Sequence, residues 1–549
     1  MQPSELSALL LANRGISTPD DQDAFLHPSY ERDIHDPFLM PDMERAVVRI
    51  FEAIEAKEKI VIYADYDCDG IPGAVVLHDL FKKIGYENFT VYIPDRHDEG
   101  YGLNHDSITR FIDDGVALVI TVDLGTTDVA EVAFAESNGI NIVITDHHIP
   151  PPIVPRAFAL VNPKVEGSKY PNPMLCGAGV AWKVAQAFLE KYREYFKVPV
   201  GWEKWLLDMA GLATLSDMVP LRGENRAIAS YGMQVLRKSP RPGLQKLLSN
   251  MKIDQRHLST EDLTFMIAPR LNAASRMDSP MRAFELLAEN DAVRAGALAT
   301  HLSKINDERK VTVATIMRDV HKKLEAREMR EVIVIGNPAW RPGVLGLVAG
   351  KITEEYERPS FVWGGESPAG LKGSCRSDGS VNVVELMREV TTSFVDFGGH
   401  ELAGGFSVSA ESVHFLEDAL IEAYNRTKRE REASAGAMID ATLALNEVNM
   451  KNHADIERLA PFGCDNPKPV FRFANVTIAA MKQFGKEKNH LELIVQEGNF
   501  KTKAIAFFHA AGDYTVTLAV GASVTLLASF ELSYFLGRPE LRLRIVDII

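Results

Sequence analysis

Three features of the sequence predict a multidomain α/β protein with a small C-terminal β-barrel. From about residue 46 to 240, short β-branched apolar runs alternate with stretches of helical spacing, which implies βαβ units and a mostly parallel sheet. A second, smaller α/β pattern opens at Glu331-Val332-Ile333-Val334-Ile335, after a long helical connector. From about residue 450, strand candidates follow one another without helical spacing, which fits a barrel of five or six strands like an OB-fold.

In chain order, residues 1–45 read as a short helical arm. Leu6, Leu9, Leu10 and Ile16 are apolar and Pro28, Pro37 and Pro41 punctuate the rest, so the arm is expected to pack on the first domain. Residues 46–240 form that domain, with strands expected at 59–64, 90–93, 117–122, 141–145 and 157–161 and helices at 71–84, 104–114, 127–138 and 177–192. Residues 241–330 are the connector, whose long helix carries Leu298, Leu302, Ile305, Val313, Ile316, Val320 and Leu324. Residues 331–425 are the second α/β domain; its Gly343, Gly346 and Gly350 do not have the GxGxxG spacing of a dinucleotide fingerprint. Residues 426–549 hold a linker and the barrel, with strands expected at 475–480, 491–495, 503–508, 515–520, 523–530 and 541–546.

Composition is that of an ordinary globular chain, 46% apolar and 25% charged. Cys68, Cys176, Cys375 and Cys464 are far apart with no CxxC pair, which argues against a zinc module or disulfide framework and for a reducing, cytoplasmic setting. No basic leader precedes Leu9-Leu10-Leu11-Ala12, and no stretch approaches the roughly 18 apolar residues of a membrane span. The net charge of −15 argues against broad non-specific nucleic-acid binding but leaves room for a local basic groove.

The chemistry gathers at strand ends. Ile60-Val61-Ile62-Tyr63-Ala64 runs into Asp65, Asp67 and Asp69 and stops at Gly70. Three carboxylates on alternate residues then sit at the carboxyl end of a strand, where open α/β sheets place ligands. Their repulsion is costly unless cations neutralise it, and carboxylate oxygens suit Mg²⁺ or Mn²⁺. Two more strands run into Asp123 and into Asp146-His147-His148, and a helical stretch, Trp205 to Leu215, runs into Asp217. Parallel strand ends share one edge, so these side chains can line one metal-binding cleft. Two Gly-rich stretches, Lys372 to Ser377 and Gly398 to Gly405, allow backbone N–H groups near phosphate, with Arg376 and His400 adding charge or hydrogen bonds.

Asp67-Cys68-Asp69, Asp123, Asp146-His147-His148 and Asp217 resemble the four motifs of the DHH phosphoesterase superfamily. The surrounding text, Ala64 to Gly70, Thr121 to Gly125, Thr145 to His148, Ser216 to Leu221 and Gly100 to Leu103, resembles the RecJ single-strand-specific exonucleases over nearly the whole chain. Leu124, Ser275 and Cys375 depart from the usual text. The resemblance implies a DHH domain, a DHHA1 substrate-binding domain whose GGH stretch faces the metals, and a C-terminal OB domain.

It further implies hydrolysis of single-stranded DNA from 5′ to 3′ with release of 5′-mononucleotides, in recombination and repair. The expected cofactors are two divalent cations, Mn²⁺ or Mg²⁺, held by Asp65, Asp67, Asp69, Asp123, His147, His148 and Asp217. Asp123 is the expected bridge, Asp146 an outer-shell orienting group, and Asp123, His147 and His400 the catalytic set. Arg270, Asn272, Arg276, Ser374, Arg376, Gly398, Gly399 and His400 are the expected substrate contacts. Phe530, Tyr534, Phe535 and Arg538 are candidates for contact with a strand in the barrel. A single-strand-binding protein and a helicase are candidate partners, and the chain is expected to be monomeric with no membrane contact. The alternatives are a DHH phosphodiesterase for oligoribonucleotides or cyclic dinucleotides, and a non-catalytic replication scaffold.

Overall fold

The β-branched run at Lys59–Ala64 (β1) forms the second strand of a five-stranded sheet in which every pairing is parallel. The order is β2 (Phe89–Tyr92), β1, β3 (Val116–Val122), β4 (Asn141–Thr145) and β5 (Ala159–Val161). Strands β1, β3 and β4 are buried on both faces, as their uninterrupted apolar runs require. This computed structural model describes residues 4–96, 98–367, 370–429, 438–485, 488–534 and 538–549. The chain divides into two units, one of Pro37–Asp217 and Gly232–Ser434, the other of Met1–Asp36, Met218–Tyr231 and Ala435–Ile549.

The first unit also holds the connector and the second α/β sheet. That sheet runs β6 (Ile333–Asn337), β7 (Ser360–Ser367), β8 (Gly370–Arg376), β10 (Ala403–Val408) and β9 (Asp396–His400), parallel only between β6 and β7. The connector ends in a 34-residue helix, Ala292–Glu325. Its apolar stripe, Val313, Ile316, Val320 and Leu324, packs with Ile333, Ile335 and Val344 in one core. Leu302 and Ile305 are buried as well, and Leu298 is half-buried. A π-helical turn, Leu263–Ile267, precedes the Ala268–Met277 helix. Cys375 is fully buried on β8 opposite Gly404, where the missing side chain makes room for the thiol.

The second unit is a closed barrel with β11 (Ile439–Thr442) added beside it. The ring runs β12 (Val470–Phe484), β13 (His490–Glu497), β14 (Phe500–Phe507), β16 (Glu540–Ile548) and β15 (Ser523–Ser533), and closes on β12. β12 bends at Asn475, which takes φ 55°, and so pairs with β15 before the bend and mainly with β13 after it. The segment 515–520 is not a strand, because β14 pairs directly with β16 and leaves no edge for it. The arm divides between the two units: from Pro37 on it belongs to the first, where Asp42 accepts from Leu160 N at 3.0 Å, and residues up to Asp36 belong to the second. Leu10, Leu11, Ile16 and Phe25 enter the core of the barrel unit with Phe471, Phe473 and Phe530. Residues 218–231, expected in the first domain, also belong to this unit.

Phe530 is therefore core, 1% exposed, and is not available to a strand of nucleic acid. Tyr534 and Arg538 are exposed, and Phe535 lies outside the described residues. Phe500 and Phe508, which the sequence did not single out, are exposed aromatics of the same barrel unit.

One arginine anchors the arm. Arg14 donates to Asp440 at 3.0 Å, Asn466 at 2.9 Å and the carbonyls of Leu10 and Pro467, all in the second unit. Both members of the ion pair are buried, so removing the guanidinium leaves an uncompensated carboxylate. Arg14→Ala is expected to cost about 3–5 kcal/mol, read as a lower urea midpoint for the barrel unit, while Leu9→Ala on the exposed side of the same helix leaves the midpoint unchanged.

Candidate metal centre

All the ligand-type residues leave chain elements at one edge of the first sheet. β1 ends at Ala64, and Asp65, Asp67 and Asp69 line the turn into the Gly70–Ile84 helix. β3 ends at Val122, and Asp123 follows with φ 64°. β4 ends at Thr145, and Asp146, His147 and His148 follow. The Leu207–Ser216 helix terminates on Asp217.

Backbone groups fix the carboxylates. Asp67 Oδ1 accepts from the N–H groups of Asp69 (2.7 Å) and Gly70 (3.2 Å). Asp69 accepts from Gly177 (2.6 Å) and Ala178 (2.7 Å), the first residues of the Gly177–Phe196 helix, whose unpaired N–H groups and dipole suit an anion. Two glycines are required by close approach: a methyl at Gly70 would lie 2.4 Å from the Asp65 carbonyl oxygen, and one at Gly177 would lie 2.5 Å from Asp123 Cβ.

Ligand atoms of Asp65, Asp67 and Asp123 lie within 4.8 Å of one another, as do those of Asp123, His147 and His148 and those of Asp69, His147 and Asp217. These three sets contain all seven expected metal ligands. Asp123 and His147 each belong to two of the three sets and so link them into one cluster.

The donor set fits divalent cations. Burial, then neighbouring carboxylates, raises Asp65 and Asp123 well above the ordinary carboxyl range, Asp69 to about 7 and Asp217 to about 8. Asp65 Oδ1 and Asp123 Oδ1 are buried and accept no hydrogen bond among the described residues. His147 carries the sharpest indication. Its Nδ1–H points at the Leu175 carbonyl (2.9 Å), so its Nε2 lone pair faces Asp123 at 3.2 Å, Asp69 at 3.7 Å and Asp217 at 3.9 Å. Burial, then the neighbouring His148, lowers this imidazole to about 3, so Nε2 carries no proton of its own. Lone pairs converging at such distances need a cation among them.

Asp146 orients its neighbours instead of joining the nest. Its Oδ1 accepts from the backbone of His147 (2.7 Å) and from His148 Nδ1 (2.8 Å), and its Oδ2 from Thr126 N (2.9 Å). Burial opposes its ionisation, but the bonds from His148 and Thr126 outweigh that and hold it well below the ordinary carboxyl range. Burial likewise works against protonation of His148, yet Asp146 raises it.

His400 comes from β9 in the second sheet. Its ring is exposed and lies parallel to that of His148, 6.2 Å between centroids with 10° between planes. Gly398 and Gly399 are exposed on the same strand. Arg376 and Ser374 on β8 pack beside Gly346, where a methyl would meet Arg376 Nη2 at 3.1 Å and Ser374 Oγ at 3.4 Å. Arg276 is half-buried and reaches the Gly343 carbonyl at 3.3 Å. Burial, then Arg96, Arg309 and Arg376, lowers its guanidinium to about 9. Arg270 is 8% exposed and Asn272 half-buried on the same helix.

The sequence missed four contributors. Arg96 follows β2 and lies over the Tyr66 ring at 4.8 Å. Lys164 follows β5 and is within electrostatic reach of Asp217, Asp146 and Asp123 on one side and His400 on the other. Asn162 ties that loop to the centre by donating to the His148 carbonyl (2.9 Å) and accepting from Lys164 N (2.9 Å). Tyr101, quoted only within a motif, donates to the Asp123 carbonyl (3.2 Å). Extending the strand-end rule from acids to cations would have found Arg96 and Lys164.

Family models match the three expected regions: the DHH family N-terminal domain over 59–214, the DHHA1 domain over 329–426 and the RecJ OB domain over 439–547. The single-stranded-DNA-specific exonuclease RecJ of Bacillus subtilis is 34% identical over 545 residues, 99% of this chain and 67% of that protein. Its Haemophilus influenzae counterpart is 32% identical over 93% of this chain and 91% of its own length. This chain belongs to the RecJ family. Among solved structures, RecJ of Thermus thermophilus in complex with Mn²⁺ shares the fold over the whole chain and 76% of its own, with a TM-score of 0.80 at 24% identity. A second, the exonuclease RecJ bound to manganese, covers 70% of this chain and 95% of its own at 29% identity, with a TM-score of 0.62.

Two measurements follow from the geometry. Mn²⁺ added to the metal-free protein raises its melting temperature, by about 2.7 kcal/mol of stabilisation at a hundredfold excess over Kd, and Asp123→Asn removes most of that rise. Gly177→Ala pushes Asp123 out of place and weakens Mn²⁺ binding at least tenfold in calorimetry, with the circular dichroism spectrum retained.

Proposed function

We propose that this chain is a divalent-cation-dependent exonuclease that degrades single-stranded DNA from 5′ to 3′ and releases 5′-mononucleotides. The observation that carries the reading is the His147 lone pair set among Asp69, Asp123 and Asp217 in a chain of the RecJ family. Asp65, Asp67, Asp69, Asp123, His147, His148 and Asp217 would hold two cations, Mn²⁺ or Mg²⁺, which supply an activated water and neutralise charge on the attacked phosphate.

The chain's own groups do the rest. Leu175 fixes the His147 imidazole through Nδ1, which leaves its Nε2 free to ligate, and Asp146 fixes that of His148 through Nδ1. The helix start at Gly177 holds Asp69, so that its carboxylate need not reorganise during turnover. Arg276 and Arg376 offer planar forks to phosphate oxygens, and Arg96 stands near both. His400 lies beside His148, and Lys164 is within electrostatic reach of Asp217, Asp146 and Asp123, where an N–H can meet the phosphate or the departing 3′-oxygen.

Hydrolysis forms a bond from water oxygen to phosphorus and breaks the bond from phosphorus to the 3′-oxygen, which takes up a proton. The 5′ to 3′ direction is supported by the resemblance of the motifs, and the barrel with exposed Phe500, Phe508 and Tyr534 supports a polymeric single-stranded substrate.

End-labelled substrates test this directly. A 5′ label on single-stranded DNA is released at once as a mononucleotide with Mn²⁺ or Mg²⁺, and a 3′ label only late. EDTA or Asp123→Asn lowers the rate by at least a thousandfold. Matched duplex and RNA are cut far more slowly. Early release of the 3′ label would refute the direction; cleavage confined to short RNA or cyclic dinucleotides would refute the substrate.

A further inference from the structure

One buried side chain outside the ligand sets ties together the ends of three neighbouring strands. Asn162 follows β5 and Thr126 lies beyond β3, and both are fully buried. The Asn162 Nδ2 donates to Thr126 Oγ1 at 3.0 Å and to the His148 carbonyl, beyond β4, at 2.9 Å, while its Oδ1 accepts from Lys164 N at 2.9 Å. A carbonyl only accepts and a backbone N–H only donates, so the amide can stand only this way round. The bond from Lys164 closes a local turn, the ordinary work of an asparagine after a strand. The two bonds from Nδ2 are not local. They reach 36 and 14 residues back along the chain, into the loops that carry the site. An ionised aspartate has the same shape and can accept in the turn, but it has no proton to give a carbonyl.

What those loops carry gives the contact its consequence. Thr126 N donates to Asp146 Oδ2 at 2.9 Å, and Asp146 Oδ1 accepts from His148 Nδ1 at 2.8 Å and from the His148 backbone at 3.2 Å. Asn162 therefore reaches His148 by two routes, directly at its carbonyl and through Thr126 and Asp146 at its ring. The same ring nitrogen has a second neighbour, Tyr101 Oη at 3.2 Å, so the ring has somewhere else to turn if Asp146 shifts. The rest of the cluster is framed differently. Gly177 and Ala178 clamp Asp69 and Leu175 holds the His147 ring, all from the stretch of chain that opens the Gly177–Phe196 helix. His148 belongs to one ligand set, with Asp123 and His147, whereas Asp69 and Asp217 form theirs with His147 alone.

We propose that Asn162 is a positioning residue of the metal centre. Through its two routes it sets the His148 ring, and so governs cation binding at Asp123, His147 and His148 without governing it at Asp69, His147 and Asp217. It touches neither cation nor substrate itself. The inference rests on the proposed two-cation site.

The test uses the full chain freed of metal. Histidine ring signals are followed by NMR in that state, with His148→Gln assigning those of His148, and Mn²⁺ is then titrated in by calorimetry. Asn162→Ala removes both routes. Thr126→Val keeps the side-chain shape and removes only the acceptor that Asn162 uses, and Thr126→Ser restores it. Asn162→Ala is expected to move the His148 ring signals while those of His147 stay in place, and to weaken one of the two Mn²⁺ ions about tenfold with the other unchanged. Thr126→Val gives the same pattern to a smaller degree, and Thr126→Ser reverts to the parent. Should Asn162→Ala fail to fold, the two Thr126 variants carry the same comparison. Parent-like His148 signals and Mn²⁺ affinities in the variants overturn the assignment. An equal loss at both ions overturns it too, since that is what mere loosening of the fold would give. A parent that binds no Mn²⁺, or one ion only, refutes the two-cation reading before any variant is made, and the His148 signals then still decide whether Asn162 positions that ring.

Discussion

Five aspartates and two histidines of metal-ligand type are packed at the edge of one sheet so closely that the carboxylates cannot all be ionised and unaccompanied. Asp65, Asp69 and Asp123 are at most 5% exposed; Asp69, Asp67 and Asp65 raise the proton affinity of Asp123, and Asp69 and Asp67 that of Asp217. A proton on Asp123 could relieve part of the repulsion and be donated to the His147 lone pair, whose Nδ1–H is committed to Leu175, but one proton does not neutralise the remaining carboxylates. A cation answers both. The surrounding backbone holds the ligands in place: Asp67 caps its own turn, a helix start clamps Asp69, and Gly70 and Gly177 leave no room for any side chain. Such a frame stores electrostatic strain in the metal-free protein and releases it on binding, and this makes it selective for hard divalent ions over bulkier ligands.

The strand-end acids were legible because parallel topology puts strand termini on one edge, and period and composition give the strands. Strands β1, β3 and β4 were readable to within a residue for the same reason: two buried faces leave an uninterrupted apolar run. The part of the arm up to Asp36 was misplaced because apolar residues at Leu10 and Leu11 say that a face is buried and not against what. Its partner lies more than 400 residues away at Asp440 and Asn466. Phe530 was offered to nucleic acid because β alternation gives two faces and the sequence does not say which points inward; the T-shaped contact with Phe471 decides it. The absent strand at 515–520 has the right residues, but the pairing of β14 with β16 had already taken both edges.

Lys164, Arg96 and Arg309 were passed over for a different reason. A lone cation in a loop or on a long helix is usually solvated, and the sequence cannot show that its carboxylate neighbours are missing. On the Ala292–Glu325 helix, Lys304, Lys310 and Lys323 all find acids three or four residues away. Arg309 finds only Asn306. The distinction lies in three-dimensional pairing and not in composition.

That selective pairing also reconciles a net charge of −15 with a polyanionic substrate. Several surface cations of the first unit, Lys304, Lys310, Arg330 and Arg429 among them, are held in local ion pairs, which weakens the pull of those faces on nucleic acid. The unpaired guanidinia and Lys164 are concentrated beside the carboxylates, where bound cations would turn the field further positive. The pull on a nucleic-acid backbone is therefore strengthened where it can reach the reacting edge.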